Sequence, residues 1–404
     1  MNQQDHQRKL PEGWRWTELG VLYNLVNGDA YKETDWSQTG VPIIRIQNLN
    51  DPAKPFNYWN GPTDDLVSVK SGNLLLAWSG TPGTSFGAHL WNREPGVLNQ
   101  HIFRLDQKND CINSEWAVSA INHQLAVLIG KAHGGVGLRH VTKSVVQALK
   151  IPVPSLAEQR RIVAILNEQM GAVERARAAA EAQLEAAKAL PATYLRYVFN
   201  SPEAQKWLRK RLGEVCEINP RRPELGRPDE APTTFVPMEA VDHRLAVVVR
   251  PETRPYGEVR KGYTYFAEGD VLFAKITPCM QNGKHAIARG LIEGVGFGST
   301  EFHVLRPTAE ITSEWIHFFL RQPWVLHAAT AYFEGAVGQQ RVPSDFLFAL
   351  EIPLVPLPEQ RRIVAILNEQ MAEAERARKS IEEELDTINK LPAALLRRAF
   401  NGEL

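Results

Sequence analysis

Cationic and planar polar side chains stand just beyond segments of this sequence that are typical of strands. In the first half, Arg45, Gln47 and Asn48 belong to RIQN, and Trp78 and Ser79 follow LLLA. The second half carries the same types in KITPCMQNGK and in QQR, at Lys275, Thr277, Gln281, Asn282, Lys284, Gln339, Gln340 and Arg341. Amides and guanidiniums hydrogen-bond to base edges, and Lys and Arg also neutralise phosphates. The set therefore predicts loops that recognise a nucleic acid, while a solvated turn is the alternative for each single residue.

Motifs of catalytic or metal chemistry are missing from the sequence. It contains no P-loop, no H-E-x-x-H, no G-x-S-x-G and no cysteine–histidine cluster with zinc spacing. The Asn/Asp-Pro-Pro-aromatic tetrad of an S-adenosylmethionine-dependent methyltransferase is also absent, because Asn219-Pro220 is followed by two arginines. GTPGTSFG at 80–87 predicts a tight loop rather than a phosphate cradle, and loop or core positions are predicted for His101, His133 and His140. We therefore predict no catalytic residue, and no metal or cofactor bound by this chain.

Composition sets further bounds on the class of protein. A chain of 404 residues predicts two or three domains, and 44% hydrophobic with 23% charged residues is typical of a globular protein. The 46 Lys and Arg balance the 46 Asp and Glu, which argues against a uniformly basic surface but leaves local basic patches open. Three distant cysteines, a polar N-terminus and no long apolar run predict a cytoplasmic protein that does not contact a membrane.

A tandem duplication organises the chain. The segment EQRRIVAILNEQM occurs at 158–170 and again at 359–371, and 29 of 50 positions are identical between 151–200 and 352–401. The segments between these copies have diverged, which indicates one fixed and one variable part in each half. The repeat predicts four parts, comprising a first variable domain, a central helix, a second variable domain and a C-terminal helix, at 1–150, 151–200, 201–351 and 352–404.

The fixed segments are predicted to be long helices. Apolar residues recur at spacings of three and four, and a helix from Glu158 to Leu190 would be about 50 Å long. Pro191 and Pro392 are expected to kink or restart the helices.

The narrow apolar stripe on each helix requires a partner, and the obvious partner is the other helix in antiparallel orientation. The predicted seam sets one stripe against its repeat, with Ile162, Leu166 and Val173 against Ile363, Leu367 and Ala374. The alternative is that each helix packs only on its own domain. Charged neighbours identical in both copies are predicted to stay free on the outer face and to bind a partner protein: Arg160, Arg161, Glu168, Arg361, Arg362 and Glu369.

The variable segments are typical of mixed α/β domains. Strands are predicted over 41–49, 72–78, 233–241 and 269–275, and helices over 114–130 and 313–329. The fold class is therefore α+β, with two tandem mixed domains joined and spaced by two long antiparallel helices and an internal pseudo-twofold symmetry.

This organisation resembles the DNA-specificity subunit of a type I restriction–modification enzyme. LPEGWRWTELG at 10–20 resembles the opening of the first recognition domain, and GDVLFAKITPCMQNGKHA at 269–286 resembles a frequent motif of these domains. RIVAILNEQM with its upstream prolines resembles the start of the spacer helices. The first domain departs from the pattern, because it has WSGTPGTSFGAHLW where the second has the ITPC-type loop.

The resemblance implies that each variable domain reads one half of a split double-stranded DNA site. The helices would set the spacing between the halves and bind two modification subunits, which bring S-adenosylmethionine and methylate adenine N6. Two restriction subunits would add ATP- and Mg²⁺-dependent translocation and cleavage in the cytoplasm of a bacterium or archaeon. The alternatives are a coiled-coil scaffold whose domains bind protein or peptide, and an enzyme, such as a nuclease or methyltransferase, with an unrecognised motif.

Overall fold

A computed structural model describes residues 10–63, 66–80, 86–130, 139–335 and 339–404. It divides into two compact units, Met1–Ala180 with Glu384–Leu404, and Glu181–Glu383. Each unit therefore combines one variable domain with parts of both long helices. The four segment boundaries inferred from the repeat stay a prediction. Most of the glycine-rich loop, at 81–85, and His133 lie outside the described residues.

The first unit contains two four-stranded sheets. One is antiparallel, in the spatial order Tyr23–Asn27, Ile102–Gln107, Leu74–Ala77 and Gly87–Leu90. The other contains one parallel pair, in the order Asn57–Trp59, Val41–Ile44, Gly96–Leu98 and Ser68–Val69. Two-stranded pairings join Arg15–Glu18 to Lys150–Val153 and Ser79–Gly80 to Arg139–His140.

The second unit repeats the strand order of both four-stranded sheets. Its antiparallel sheet has the order Cys216–Ile218, Phe302–Pro307, Val271–Ala274 and His285–Ile287. Its mixed sheet has the order Glu252–Pro255, Pro232–Val236, Val295–Gly298 and Thr264–Ala267. Two-stranded pairings join Leu208–Arg211 to Glu351–Leu354 and Val241–Asp242 to Val247–Val248. The diverged sequences of the two domains thus form one architecture, which confirms the predicted fold class in its domains and its helices.

Most α-helices of the two domains also correspond, but Ile46–Asn50 and Tyr256–Val259 do not, because they follow non-equivalent strands. Those of the first unit are Leu19–Leu22, Ile46–Asn50, Ser114–His123, Leu125–Gly130 and Lys143–Gln147. Those of the second are Leu212–Val215, Tyr256–Val259, Ser313–Leu320, Pro323–Thr330 and Ser344–Ala349. Single helices were expected over 114–130 and 313–329, but each region forms two. The second break comes just before Pro323, since proline disfavours helical geometry in the residue that precedes it.

Two strand predictions are too long. The strand expected over 41–49 ends at Ile44, and a short helix, Ile46–Asn50, follows it because the Asn48 Oδ1 accepts the backbone N–H of Arg45 at 3.1 Å. The strand expected over 233–241 ends at Val236, because Pro237 has no N–H to donate to a sheet.

The two long helices are longer than predicted and run through their prolines. The central helix spans Leu156–Asn200 and the C-terminal helix spans Leu357–Phe400, with Pro191 and Pro392 inside them. A proline inside a helix removes one backbone hydrogen bond, and buried residues on both sides of the proline can offset this loss through their packing. In the central helix, Ala187 is buried before Pro191, and Phe199 is buried after it. The predicted helices are therefore confirmed, whereas a restart at the prolines is wrong. Within the described ranges, no helix is both long and apolar enough to cross a bilayer.

Buried positions recur every seven residues along each long helix. In the central helix they are Leu166, Val173, Ala180 and Ala187, and the C-terminal helix buries Leu367, Ala374 and Ile388, with Ile381 half-buried between them. A seven-residue repeat is typical of a coiled-coil seam. Ala176 and Ala377, which follow Val173 and Ala374 at the predicted spacing of three, are exposed.

The first residues of each stripe belong to the core of a domain. Ile162 and Leu166 pack in the first unit with Trp116 and Phe400, and Leu396 from the same end of the C-terminal helix packs against this cluster. In the second unit, the start of the C-terminal helix packs with the end of the central helix and with Trp315, through Ile363, Leu367, Leu195 and Phe199. In each unit the start of one helix therefore meets the end of the other. The seam predicted between Ile162 and Ile363 is wrong, because each of them lies in the core of its own unit.

A buried glutamine fixes the start of each long helix to its domain. The Gln159 Oε1 accepts the backbone N–H of Asn113 at 2.7 Å, and its Nε2 donates to the carbonyls of Cys111 and Pro154. Gln360 repeats this arrangement with the N–H of Thr312, at 3.0 Å, and with the carbonyls of Glu310 and Val355. Both side chains are fully buried.

The same glutamines hold the segment that begins the main helix of each domain. The side chains of Asn113 and Thr312 cap these helices by accepting the N–H of Trp116 and of Trp315. Each indole then donates to a backbone carbonyl just upstream of a long helix, Pro152 at 3.0 Å and Pro353 at 2.8 Å. The start of each long helix and the strand just before it are therefore both hydrogen-bonded to the start of the main helix of the domain, which is Ser114–His123 or Ser313–Leu320.

The glutamine contacts predict a loss of stability when they are removed. Gln159→Ala and Gln360→Ala each leave one N–H and two carbonyls without a protein partner, and we expect a cost of about 1–3 kcal/mol in the free energy of unfolding. The measurement is a urea titration of the purified chain. Gln183→Ala is the matched control, because Gln183 is exposed on the central helix. Equal unfolding midpoints for Gln159→Ala and Gln183→Ala would contradict this role.

Candidate functional site

The first domain gathers four polar residues around a small open cavity. Arg45, Gln47, Asn99 and His101 line it together with Ile46, and its volume is about 230 Å³. The helix Ile46–Asn50 presents the first two residues, and the turn before the strand Ile102–Gln107 presents the last two. A guanidinium, two amides and an imidazole at one cavity can offer hydrogen bonds to planar polar groups.

Local contacts orient the guanidinium of Arg45. Its Nη1 donates to the Oδ1 of Asn57 at 2.9 Å, and its Cζ lies 4.5 Å from the ring centroid of Trp36. The hydrogen bond and the cation–π contact together fix the position of the guanidinium. Gln47 is exposed beside it.

Asn48 does not share this role, because its side chain is 2% exposed. Its Oδ1 accepts the N–H of Arg45, and its Nδ2 donates to the carbonyls of Lys54 and Pro55, both at 3.2 Å. The expectation of a loop amide available for recognition is therefore corrected at Asn48. The amide instead shapes the short helix that presents Arg45 and Gln47.

Trp78 and Ser79 follow the strand Leu74–Ala77, which pairs with the strand after His101. The indole of Trp78 stacks on Phe103 with centroids 5.4 Å apart and lies 5.9 Å from the ring of His101. Ser79 is 8% exposed and pairs with His140 through the backbone, so it forms part of a short strand rather than a free loop.

In the second domain, two segments far apart in sequence are joined by backbone hydrogen bonds. The N–H of Thr277 donates to the carbonyl of Gln340 at 2.9 Å, and the N–H of Gln340 returns a bond to the Thr277 Oγ1 at 3.2 Å. The N–H of Val342 donates to the carbonyl of Lys275. The structure therefore brings together KITPCMQNGK and QQR, which were selected separately in the sequence.

Some side chains of this joined region are exposed, and others are held by hydrogen bonds. Gln281, Asn282 and Gln339 are exposed. The Lys284 Nζ is instead held by the carbonyl of Met238 at 2.9 Å. Lys275 is half-buried and has no hydrogen bond or ion pair from its ammonium group to the described residues.

An ion pair fixes the last cation of this region. The guanidinium of Arg341 holds Glu301 through two hydrogen bonds of 2.8 and 2.9 Å. These bonds keep the pKa of the Glu301 carboxyl below its usual range, so the pair stays charged at neutral pH. Burial lowers the pKa of His303 beside it, and burial together with Arg45 lowers the pKa of His101 in the first domain. Both histidines are therefore neutral at pH 7.

Equivalent positions of the two domains carry different chemistry. The sheet pairings place Trp78 where the second domain has Lys275, one residue beyond Ala77 and Ala274. They likewise place His101 where the second domain has Glu301. Sequence reasoning did not select Asn99, His101 or Glu301, which the structure places beside the selected residues. The repeat aligns Trp78 with Lys275, but the pairing that sets His101 beside Trp78 is formed only in the folded sheet.

The charged residues predicted to bind a partner are all exposed on the long helices, namely Arg160, Arg161, Glu168, Arg361, Arg362 and Glu369. Two of them are not free as expected. Arg161 pairs with Glu158 at 2.8 Å, and Arg362 pairs with Glu359 at 2.7 Å, one helical turn away. Among the described residues, no group of three or more His, Cys, Asp or Glu is placed to hold a metal ion.

A family model for the type I restriction modification DNA specificity domain matches this chain twice, over residues 11–180 and 204–385. The type I restriction enzyme EcoEI specificity subunit of Escherichia coli is 37% identical over 199 residues, which cover 49% of this chain and 33% of that protein. The EcoBI specificity subunit of E. coli is 21% identical, over 98% of this chain and 87% of that protein. The chain thus spans about a third of the EcoEI subunit in that match.

Two solved structures share the fold. The HsdS subunit from Thermoanaerobacter tengcongensis superposes with a TM-score of 0.63 at 22% identity, covering 99% of this chain and all of that one. A chain from a study of complex assembly and conformational transition of the type I R-M system gives a TM-score of 0.74 at 22% identity, covering 98% of this chain and all of that one.

The contrast between Asn48 and Gln47 predicts different effects of two neighbouring substitutions. Asn48→Ala removes three hydrogen bonds from a buried site and is expected to lower the free energy of unfolding by about 1–3 kcal/mol. Gln47→Ala changes an exposed side chain and is expected to stay within about 0.5 kcal/mol. Urea unfolding measures both. An Asn48→Ala chain as stable as the Gln47→Ala chain would show that Asn48 does not shape the helix.

Proposed function

Since this chain belongs to the type I restriction–modification DNA specificity family, we propose that it is the DNA-reading, non-catalytic subunit of a type I restriction–modification complex. Each domain reads one half of a split double-stranded DNA site. The first half is read by the cluster around Arg45, Gln47, Trp78 and His101. The second half is read by the joined segments 275–284 and 339–341.

One observation carries this proposal. The same family model matches each half of the chain, and both halves have the same strand order while their polar side chains differ at equivalent positions. A common frame with different hydrogen-bonding groups suits two readers of unlike sequences. Lys275 offers only donors and a positive charge, whereas Trp78 offers an aromatic ring. A single chain with two readers recognises an asymmetric site, which a symmetric homodimer does not.

The long helices supply the distance between the two half-sites. Reading the major groove on one face of B-DNA favours half-site centres about 34 Å apart. The 45 residues of the central helix correspond to about 68 Å, long enough to carry a domain near each end. The exposed charges at Arg160, Glu168 and their repeats Arg361 and Glu369 are the contacts proposed for two modification subunits.

The chemistry of the complex is assigned to those partners. Two modification subunits bring S-adenosylmethionine and methylate adenine N6, and two restriction subunits bring ATP and Mg²⁺ for translocation and cleavage. This chain is proposed to bind no cofactor and to act in the cytoplasm of a bacterium or archaeon. Its equal numbers of cationic and anionic residues predict weak, salt-sensitive DNA binding until the modification subunits add phosphate contacts.

Exchange of one domain tests the division of labour. Residues 1–150 are replaced by the corresponding domain of another family member, and the methylated sites are mapped by sequencing. We expect one half of the site to change and the other half to persist, because the two polar clusters lie in separate domains. The reciprocal exchange of 201–351 is the matched control and is expected to change the opposite half. Changes in both halves after a single exchange would overturn the assignment.

Insertion of one heptad into both long helices tests their role in spacing. Seven added residues at 180/181 and 383/384 preserve the seven-residue recurrence of buried positions and lengthen each helix by about 10 Å. We expect methylated half-sites to move about three base pairs apart, since each pair occupies 3.4 Å of the duplex. Inserting four residues instead shifts the buried stripe and should abolish methylation. Methylation at the original spacing after the heptad insertion would refute this role.

A further inference from the structure

The second unit contains a cavity of about 620 Å³ that the proposed reading role does not use. The C-terminal helix forms one wall through Arg361, Val364, Ala365, Asn368 and Met371. The helix Ser313–Leu320, the strand His285–Ile287 and the hairpin 241–248 supply the other walls. This volume is within the range of ligand pockets, and it is too large to be a packing defect.

Positive charge dominates the lining of this cavity. Arg289, Arg321 and Arg361 contribute three guanidiniums, and Glu314 contributes one carboxylate, which pairs with Arg289. Arg321 donates only to the backbone carbonyl of Arg244, at 2.9 Å, and its burial lowers its pKa. Two guanidinium charges therefore lack a carboxylate partner among the described residues. A buried cation is strongly favoured when an anion joins it.

His317 adds an unsatisfied polar atom to the same lining. Its side chain is 7% exposed, and its Nδ1 has no hydrogen-bond partner in the described part of the chain. Burial holds the pKa of this imidazole well below its usual value, so the ring is neutral. A buried polar atom without a partner costs free energy, and a ligand that reaches it removes that cost.

The rim and part of the walls are apolar. Leu245 is 38% exposed and Val247 is 44% exposed on the hairpin at the edge of the cavity, and Ile287 and Phe318 lie further in. A second cavity of about 230 Å³ shares Leu245, Arg321 and Met371 with the first and continues along the C-terminal helix towards Arg378. The lining therefore suits an elongated occupant with an anionic group and apolar neighbours.

The first domain carries different residues at the equivalent helix positions. The repeat places Val118 and Asn122 where the second domain has His317 and Arg321. The amide of Asn122 is occupied by the backbone of Ala88, at 2.8 and 3.0 Å. Glu115, the equivalent of Glu314, accepts a hydrogen bond from Asn167 of the central helix at 3.1 Å. The cationic lining thus belongs to the second domain.

The cavity also lies away from the proposed DNA-reading segments. Val271 pairs with Ile287, and Phe273 pairs with His285, so the strands run in opposite directions. Lys275 follows the first strand at one end of this pair, and Arg289 follows the second strand at the other end. The two ends are about 13 Å apart, which is the length of a strand of four residues. Arg361 is exposed at the mouth and belongs to the helix face proposed to bind a modification subunit.

We propose that this cavity receives an acidic side chain of one modification subunit, presented on a segment whose neighbouring side chains are apolar. The carboxylate pairs with Arg321 and Arg361, and the apolar neighbours pack on Leu245, Val247 and Phe318. This inference rests on the proposed function, because the occupant is a subunit of the same complex. It further implies that the two modification subunits are held unequally, with tighter binding beside the second domain.

Blocking the cavity tests the proposal with a matched control. Ala365 is exposed and lines the cavity, and Ala176 is exposed on the central helix, about two turns beyond Glu168 and outside the proposed contacts. Ala365→Phe and Ala176→Phe are each co-expressed with the modification subunit, and native mass spectrometry measures the bound copies over a dilution series. We expect Ala365→Phe to weaken the binding of one copy by about tenfold and Ala176→Phe to have a much smaller effect. Arg289→Gln, which lowers the positive charge without blocking the cavity, should also weaken that copy.

Photo-crosslinking identifies the occupant. A benzophenone-bearing phenylalanine replaces Ala365 in the purified complex with DNA, and the crosslinked peptide is sequenced after irradiation. A modification-subunit peptide with Asp or Glu between apolar residues supports the proposal. A crosslink to DNA or to the restriction subunit, or no crosslink, overturns it.

The outcomes separate this inference from the proposed function. If the wild-type chain retains two modification subunits but Ala365→Phe and Ala176→Phe behave alike, only the cavity assignment is overturned. If the wild-type chain retains none, the proposed function fails and the cavity assignment fails with it. Residues 289 and 365 are exposed, so their substitution is expected to leave the urea unfolding midpoint unchanged. An unchanged midpoint establishes that weaker subunit binding does not come from misfolding.

Discussion

The buried amide at the start of each long helix is the contact on which the geometry of each unit depends. Gln159 and Gln360 each accept one backbone N–H and donate to two carbonyls, so that no hydrogen bond of the NH₂ group is wasted in the core. The contacts tie a long helix to the loop before the main helix of its domain. The direction in which each domain is held relative to its helix is thereby set by directional bonds rather than by apolar packing alone.

That rigid connection allows the rest of each domain to change. The frame consists of four-stranded sheets with the same strand order in both units, and the residues proposed to read DNA stand where these strands end. Trp78 and Lys275 occupy one such place, and His101 and Glu301 occupy another. Substitutions there alter charge and hydrogen bonding without disturbing the glutamine contacts, which lie near the start of the long helices. Divergence of the domains beside near-identical helices is the expected consequence.

Elements that depend on local periodicity could be predicted from the sequence. Hydrogen bonds between a side chain and residues distant in sequence could not. The long helices and the duplication followed from spacing and identity, and the family followed from motifs. The short helix at Ile46–Asn50 did not, because Asn48 forms it through carbonyls at Lys54 and Pro55 that no pattern reveals. The spacing of three permits the pairing of Arg161 with Glu158, but identity between the two copies, on which the prediction of free charges rested, does not reveal it. The joining of Thr277 to Gln340 requires the folded chain, as 63 residues separate them.

The aromatic contacts at the helix ends have a consequence for synthesis on the ribosome. Phe199 packs on Trp315 at 5.0 Å, so the second domain receives a ring that is made before it. Phe400 packs on Trp116 at 4.9 Å, so the first domain receives a ring that is made long after it. The domain translated first is therefore completed last. The apolar surface that packs on Phe400 stays exposed until the end of the chain has been synthesised. Nascent chains of this protein are expected to depend on chaperones during that interval, because exposed apolar surface and late long-range contacts favour aggregation.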